Sequence, residues 1–169
     1  MSLQIIWQTV ADGVKTQLTV PLLEAELTIT LLGDVIVDAS WVIPDSRPSL
    51  TDTELAVQLK RYLLDPDRNR LQVSLLKQGS AYSQRVWQAL LEIPLGQKMS
   101  YSALANKLGS GPRAVAQACR NNPYAGIIPC HRVVSKSGPG GFMGQSRGAM
   151  VDLKIQLLEY ESEIVMNRP

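Results

Sequence analysis

A cysteine and the only histidine of the chain are adjacent, at Cys130 and His131, within the run Ile127-Ile128-Pro129-Cys130-His131-Arg132-Val133-Val134. A thiol becomes a strong nucleophile as the thiolate, and a neighbouring imidazole or guanidinium favours that form. Adjacent side chains of an extended strand point to opposite faces, so the pair can cooperate only where the backbone turns, as Pro129 favours. The pattern predicts a nucleophilic cysteine. The alternative is a buried structural thiol beside a core histidine.

The charge of the chain is unevenly distributed. The net charge is +2, but residues 82–150 contain eight Lys or Arg and one acidic residue. Residues 1–81 contain seven Lys or Arg against ten Asp or Glu. A local basic excess is typical of proteins that bind phosphate backbones, although a solvated basic face without a ligand has the same composition.

The composition indicates a globular protein with a sizeable core, since 45% of the 169 residues are apolar. The chain shows neither a signal segment nor a long uncharged apolar run, so we expect a cytoplasmic protein without a membrane partner. In a eukaryote the expected location would be the nucleus. Two cysteines and one histidine are too few for a disulfide framework or an evident structural zinc site, and we expect no metal.

Residues 1–81 are predicted to form an N-terminal domain of a small antiparallel sheet and one helix, ending in a linker. A capping box of Thr51 and Glu54 is expected to begin the helix, at about 53–64. Residues 68–81 are interpreted as a linker or edge segment. Runs rich in β-branched and apolar residues, separated by turn residues, predict strands at 4–10, 16–20, 25–32 and 34–42.

Residues 82–169 are predicted to form a mainly helical second domain, which makes the fold class α+β. The first helix is expected to start at Ser83, and the second at Ser100 or Ser102. A glycine-containing turn leads into a third helix from Arg113 to Asn121. Two short helices joined by such a turn are the outline of a helix-turn-helix.

The third helix has alanines at 114, 116 and 118 and arginines at 113 and 120. Small side chains allow a helix to approach a narrow groove of DNA closely, but they equally suit a core helix packed through its alanines. Cys119 is interpreted as a packing residue and not as a second nucleophile. Asn122 follows the helix, where its carboxamide could brace a nearby loop.

A glycine-rich loop at 137–144 follows the Cys-His run and lacks the pattern of a phosphate-binding loop, so we interpret it as a flexible wall over a pocket. Ser146 is expected to cap a last helix that ends near Glu161, with Met150, Leu153, Leu157 and Tyr160 on its apolar side. Glu161 is either a surface carboxylate or the group that orients His131.

These segments together resemble the O6-alkylguanine-DNA alkyltransferases, also called methylated-DNA-protein-cysteine methyltransferases, over about Ser83 to Glu161. The Pro129–Val133 core is highly specific to that family. The other matching segments, in the same order and spacing, are Met99–Tyr101, Arg113–Val115, Arg120–Pro123 and Leu157–Glu161.

The resemblance implies direct, single-use repair of DNA, in which Cys130 takes the alkyl group from O6 of a flipped-out guanine. His131 would be the base acting through a water, oriented by Glu161. Tyr101 would donate to the leaving base, and Asn122 would fix the active-site turn. Arg113 would enter the base stack from a helix in the minor groove. The implied partner is double-stranded DNA containing O6-alkylguanine, bound by a monomer without a cofactor.

The residues expected to contact DNA are Arg113, Ala114, Ala116, Gln117, Arg120 and Ser100. The residues expected to line the substrate pocket are Tyr101, Cys119, Phe142, Met143 and Gly144. The family usually shows a Gly-Tyr-Ser-Gly-like run where this chain has Gly141–Gly144, so Met143 replaces a hydroxyl that could help to hold O6. The zinc-binding cysteine and histidine cluster of some relatives is also missing.

Two other classes of protein remain open. A non-catalytic protein that binds alkyl lesions and flags them for another repair pathway would use the same pocket, but relatives of that kind replace the reactive cysteine. A Cys-His hydrolase would need an acyl pocket and an oxyanion hole that no segment suggests.

Overall fold

The computed structural model describes residues 2–169, and the chain divides into two compact units. The first unit runs to Gln78 and the second from Gly79 to Pro169, a boundary three residues before the one predicted at residue 81. A five-stranded sheet with one helix forms the first unit, and the second is mainly helical. The α+β class is confirmed. Across residues 2–169, no helix is long and apolar enough to cross a membrane.

The sheet of the first unit is mixed rather than antiparallel throughout. Its strands are β1 (Leu3–Gln8), β2 (Lys15–Leu22), β3 (Ala25–Leu32), β4 (Val35–Val42) and β5 (Leu71–Leu76), in the spatial order β1-β5-β4-β3-β2. Of the four strands predicted for an antiparallel sheet, β2, β3 and β4 pair in this way, but β1 does not. Both β1 and β4 pair in parallel with β5.

The interpretation of residues 68–81 as a linker or edge segment was wrong, because β5 lies inside the sheet between β1 and β4. Leu71, Val73 and Leu75 are buried, whereas Gln72 is exposed and Ser74 is half-buried. This alternation is the pattern of a strand with one face against the core.

Helix α1 (Glu54–Leu64) agrees with the predicted bounds, but its N-cap lies two residues after Thr51, the cap of the predicted capping box. Thr53 is the N-cap, and its hydroxyl accepts a hydrogen bond from Ala56 N. Thr51 lies before the helix, where its hydroxyl accepts from Thr19 N at 2.8 Å. The buried side of the helix consists of Ala56, Leu59, Tyr62 and Leu63.

The second unit contains the segments that carry the predicted site. In chain order they are α2 (Ala81–Leu90), β6 (Met99–Ser100), α3 (Tyr101–Leu108), α4 (Pro112–Arg120), a 3-10 helix (Cys130–Arg132), β7 (Val133–Val134) and α5 (Ala149–Met166). Ser80 and not Ser83 caps α2, since Ser80 Oγ accepts from Ser83 N.

Helices α3 and α4 pack together across the turn formed by residues 109–111. Ser100 caps α3 through a hydrogen bond from Ala103 N. Gly109 ends α3 with a φ of 65°, a conformation that glycine adopts without strain. The Trp87 indole on α2 donates a 2.8 Å hydrogen bond to Ala118 O, which fixes α4 against α2.

Helix α5 differs most from its prediction. It begins after Gly148 without a side-chain cap, so Ser146 is not the N-cap, and it continues to Met166. Leu153 and Leu157 are buried as predicted, but Met150 and Tyr160 are only half-buried. The other buried residues of this helix are Val151 and two charged residues, Lys154 and Glu161.

Candidate active site

The backbone turns at Cys130, as cooperation between the thiol and the imidazole requires. Cys130 begins the 3-10 helix, and Val133 N donates to Cys130 O at its end. Pro129, which precedes it, has φ −81° and ψ 67°. Cys130 and His131 are therefore consecutive residues of a tight turn instead of opposite faces of a strand.

Asn122 fixes the loop that leads into this turn. Its Nδ2 donates to Ile128 O at 2.9 Å, and its Oδ1 accepts from Tyr124 N at 3.0 Å. One carboxamide thus joins both ends of the segment before Pro129. The bracing role expected for Asn122 matches this geometry.

Cys130 opens into a pocket of about 510 Å³ within the second unit. The lining residues are Tyr101, Arg113, Ala116, Gln117, Cys119, Arg120, Asn122, Cys130 and residues 141–146. They include all five residues predicted for the substrate pocket. A volume of this size is typical of small-molecule sites.

The environment of Cys130 favours the neutral thiol. Burial raises the pKa of Cys130, while a hydrogen bond with the Asn122 side chain and the positive charge of Lys154 act in the opposite direction. Because the net shift is upward, the resting sulfur is protonated and needs a base before it can attack. Burial likewise raises the pKa of Cys119 to about 12, so this second thiol is unreactive.

His131 and Glu161 lie together behind the turn. His131 Nε2 is 3.0 Å from Glu161 Oε1, and both residues are buried. Nδ1 of the imidazole is buried without a hydrogen-bond partner in residues 2–169. A thiol, an imidazole and a buried carboxylate are the groups that a nucleophile, its base and the carboxylate orienting that base would require.

Arg132 is the third member of this cluster. Its pairing with Glu161 was not predicted from the sequence. Its guanidinium binds Glu161 through both carboxylate oxygens, at 2.9 Å and 2.8 Å. Burial of Glu161 is outweighed by the charge of His131 and by the hydrogen bonds from Arg132 and His131, so the pKa of Glu161 is lowered to about 2. The carboxylate therefore stays ionised. A buried arginine inside an apolar run was the available signal, since such a charge requires a partner.

Tyr101 forms one wall of the pocket at the start of α3. The two-residue parallel pair of β6 and β7 aligns Met99 with Val133 and so holds Tyr101 beside the cysteine turn. Burial and the nearby thiols Cys119 and Cys130 raise the pKa of Tyr101 to about 12. The phenol is consequently a neutral hydrogen-bond donor at physiological pH.

Lys154 is the second residue that sequence reasoning missed. It is fully buried on α5, and its Nζ lies 3.4 Å from the Tyr101 hydroxyl. Burial lowers the pKa of Lys154 to about 8, against the opposing influence of Cys130 and Cys119. Its position, four residues after Met150 and three before Leu157, places it on the apolar side of the predicted helix, and this was the available signal.

The loop at 140–145 packs against Tyr101 and contributes residues 141–145 to the lining of the pocket. Phe142 and Gln145 exchange two backbone hydrogen bonds of 2.9 Å around a turn in which Met143 has a φ of 49°. At Gly140, with a φ of 76°, a Cβ atom would lie 2.8 Å from the Tyr101 ring. Only glycine allows this close approach.

The outer face of α4 carries most of the residues predicted to contact DNA. Arg113, Ala114, Gln117 and Arg120 are exposed, and Ala116 is half-exposed. Ser100 lies elsewhere, at the half-buried start of α3, where its hydroxyl caps the helix. Within the described part of the chain, no group of three or more His, Cys, Asp and Glu side chains could hold a metal ion.

Comparisons with known proteins all point to the same family. The family model described as "6-O-methylguanine DNA methyltransferase, DNA binding domain" matches residues 81–163. The Escherichia coli "bifunctional transcriptional activator/DNA repair enzyme Ada" is 51% identical over 87 residues, which are 50% of this chain and 23% of that protein. The Archaeoglobus fulgidus "methylated-DNA–protein-cysteine methyltransferase" is 40% identical over 94 residues, 56% of this chain and 63% of that protein. The matches thus span less than two thirds of these curated relatives.

Solved structures extend the similarity to both units. The crystal structure of a Mycobacterium tuberculosis O6-methylguanine methyltransferase has a TM-score of 0.68 and 29% identity, covering 89% of this chain and 94% of that one. A structure of that organism's protein in complex with DNA has a TM-score of 0.65 and 32% identity, covering 86% and 91%. With its cysteine turn, its pocket and these matches, the chain belongs to the O6-methylguanine-DNA methyltransferase family.

Proposed function

We propose that this protein repairs DNA by transferring an alkyl group from O6 of guanine to Cys130, once per molecule. One observation carries the proposal: Cys130 lines a pocket of about 510 Å³, and His131, the next residue of the same 3-10 helix, lies 3.0 Å from the buried carboxylate of Glu161. Relatives named methylated-DNA–protein-cysteine methyltransferases support the same activity.

The transfer is a single displacement. His131, oriented by Glu161, takes the thiol proton through a water, and the Cys130 sulfur then attacks the alkyl carbon. The sulfur–carbon bond forms as the carbon–O6 bond breaks, and its electron pair stays with the guanine. The Tyr101 hydroxyl stabilises the negative charge that develops on the leaving base. No cofactor is required, because guanine is itself the leaving group.

The product explains the single use. A thioether at Cys130 has no good leaving group and does not hydrolyse readily, so the sulfur is not regenerated. The protein is accordingly consumed in proportion to the lesions it repairs.

Access to the lesion requires the guanine to leave the base stack, at a cost of a few kcal/mol. Arg113 is exposed at the start of α4 and also lines the pocket. We assign it the place of the flipped base, with α3 and α4 acting as a helix-turn-helix. Ala114 and Ala116 allow α4 to lie close to the minor groove. The protein would act as a monomer on duplex DNA, in the cytoplasm or, in a eukaryote, in the nucleus.

The test is the intact mass of the protein after mixing with a short duplex that contains O6-methylguanine. We expect a stoichiometric gain of about 14 Da, mapped to the Cys130 peptide and not to Cys119, and no gain for Cys130→Ser. Tight binding to the lesion duplex without any gain in mass would instead indicate a non-catalytic lesion-binding protein.

A further inference from the structure

The Arg132 guanidinium is held on three sides inside the second unit. Nε and Nη2 bind the two oxygens of Glu161, and Nη1 donates to Ile93 O at 2.8 Å. The side chain is 10% exposed. Paired, parallel hydrogen bonds of this kind fix both the distance and the plane of a carboxylate.

Glu161 is shared between two cationic partners. Its Oε1 atom accepts from Arg132 Nε at 2.9 Å and lies 3.0 Å from His131 Nε2. The arginine charge is permanent, whereas the imidazole is charged only when protonated. The guanidinium charge of Arg132 therefore disfavours a positive charge on the imidazole of His131, and burial strengthens this repulsion.

We propose that Arg132 is a positioning residue that fixes Glu161 and sets the pH at which His131 becomes available as a base. With Arg132 in place, the Glu161 carboxylate orients the imidazole, but its negative charge is already offset by the guanidinium. Without Arg132, the same carboxylate would stabilise the protonated imidazole, which cannot accept the thiol proton. The role of Arg132 in alkyl transfer rests on the proposed function, but the effect of Arg132 on the protonation of His131 does not.

Few other charged side chains lie on the elements that pack against the 3-10 helix. Helices α2 and α5 pack against it. The one charged side chain of α2, Arg85, is exposed and donates to Leu108 O. From α5 come Lys154 and Glu161, while Asp152, Glu159 and Glu163 of that helix are exposed. The 3-10 helix itself adds Cys130, whose burial favours the neutral thiol, and Arg132.

The chain has a single histidine, so nuclear magnetic resonance of the imidazole reports on His131 without ambiguity and without any substrate. We would titrate the wild type, Arg132→Met, Arg132→Lys and Glu161→Gln from about pH 5 to about pH 9. Arg132→Met should move the titration midpoint upward by about one pH unit, and Arg132→Lys, which keeps the charge, should move it much less. A folded Arg132→Met protein with the wild-type midpoint would overturn the proposal.

Glu161→Gln provides a test that does not require an Arg132 variant to fold. With the carboxylate removed and Arg132 retained, the midpoint should move downward by about one pH unit. An unchanged or raised midpoint contradicts the proposed balance of charges.

The rate of alkyl transfer links this balance to the reaction. Measured with free O6-benzylguanine, the pH–rate profile of Arg132→Met should shift upward with the imidazole titration, giving about a fivefold loss at the wild-type midpoint. A uniform loss at every pH with an unmoved profile would reduce Arg132 to a structural role. Failure of the wild type to gain mass would contradict the proposed function instead, and the titration result would stand.

Discussion

The Nζ atom of Lys154 lies 2.7 Å from the backbone oxygen of Val133, in the interior of the second unit. The same ammonium donates to Gly141 O at 3.0 Å. One buried cation on α5 therefore joins the strand that follows the cysteine turn to the loop that faces the cysteine. The wall of the pocket and its reactive residue are held by a common anchor.

Replacing this anchor should slow the reaction. Lys154→Met leaves the buried carbonyl of Val133 and the part-buried carbonyl of Gly141 without their donor, and it removes a positive charge that favours the Cys130 thiolate. We expect the single-turnover rate with free O6-benzylguanine to fall by at least about tenfold. Lys107→Met is the matched control, because Lys107 is exposed and pairs with Glu92 at the surface. A Lys154→Met rate within twofold of this control would contradict the prediction.

Glu161 should make folding sensitive to acid. Its pKa is about 2 in the folded protein, below its ordinary value of 4.5, so its contribution to stability is complete above about pH 4.5 and is lost as the pH falls towards 2. The loss should amount to about 3 kcal/mol. In Glu161→Gln, urea denaturation should show a correspondingly flatter pH dependence over this window. Glu163→Gln, at an exposed position of the same helix, should follow the wild type.

Arg113 should matter only when a base stack must be opened. Arg113→Ala should slow repair of O6-methylguanine in duplex DNA by about a hundredfold, yet change the rate with free O6-benzylguanine by less than about threefold. Arg47→Ala, which removes one exposed charge from the first unit, controls for net charge. Equal losses with both substrates would show that Arg113 does not act through base flipping.

Met143 should influence which alkyl groups are accepted. It lines the pocket at the position where the family pattern carries a hydroxyl, and its thioether favours apolar and aromatic groups. We expect Met143→Ser to lower the ratio of the benzyl to the methyl transfer rate by about fivefold. Met143→Leu, which keeps an apolar side chain at the same strained φ, should preserve the ratio. Identical ratios in all three proteins would exclude this role.

Local sequence patterns predict the ends of helices best where those ends depend on residues close to them in the chain. The start of α3, predicted at Ser100 or Ser102, is at Ser100, and the predicted glycine-containing turn follows from Gly109. The third helix begins at Pro112, one residue before the predicted Arg113. At α2 the start was predicted at Ser83, but the cap is Ser80, three positions earlier.

Long-range partners could not be predicted in this way. The parallel pairing of β1 with β5 joins residues about 68 positions apart, and no local signal specifies it. The buried face of α5 was misjudged because its apolar residues alone were counted. Lys154 and Glu161 occupy that face only because Val133, Gly141, His131 and Arg132 supply their partners. The pairing of His131 with Glu161 was anticipated from the family resemblance, but Arg132 was not.

The placement of Lys154 and Glu161 on α5 has a consequence for biosynthesis. A ribosome makes the thiol, the imidazole and the pocket wall before the helix that supplies their ammonium and carboxylate partners. An emerging chain therefore carries its nucleophile for some time without the groups that position the base and anchor the loop. The site is complete only when α5 docks against the 3-10 helix and the loop that contains Gly141, so alkyl transfer as proposed must follow the folding of this helix.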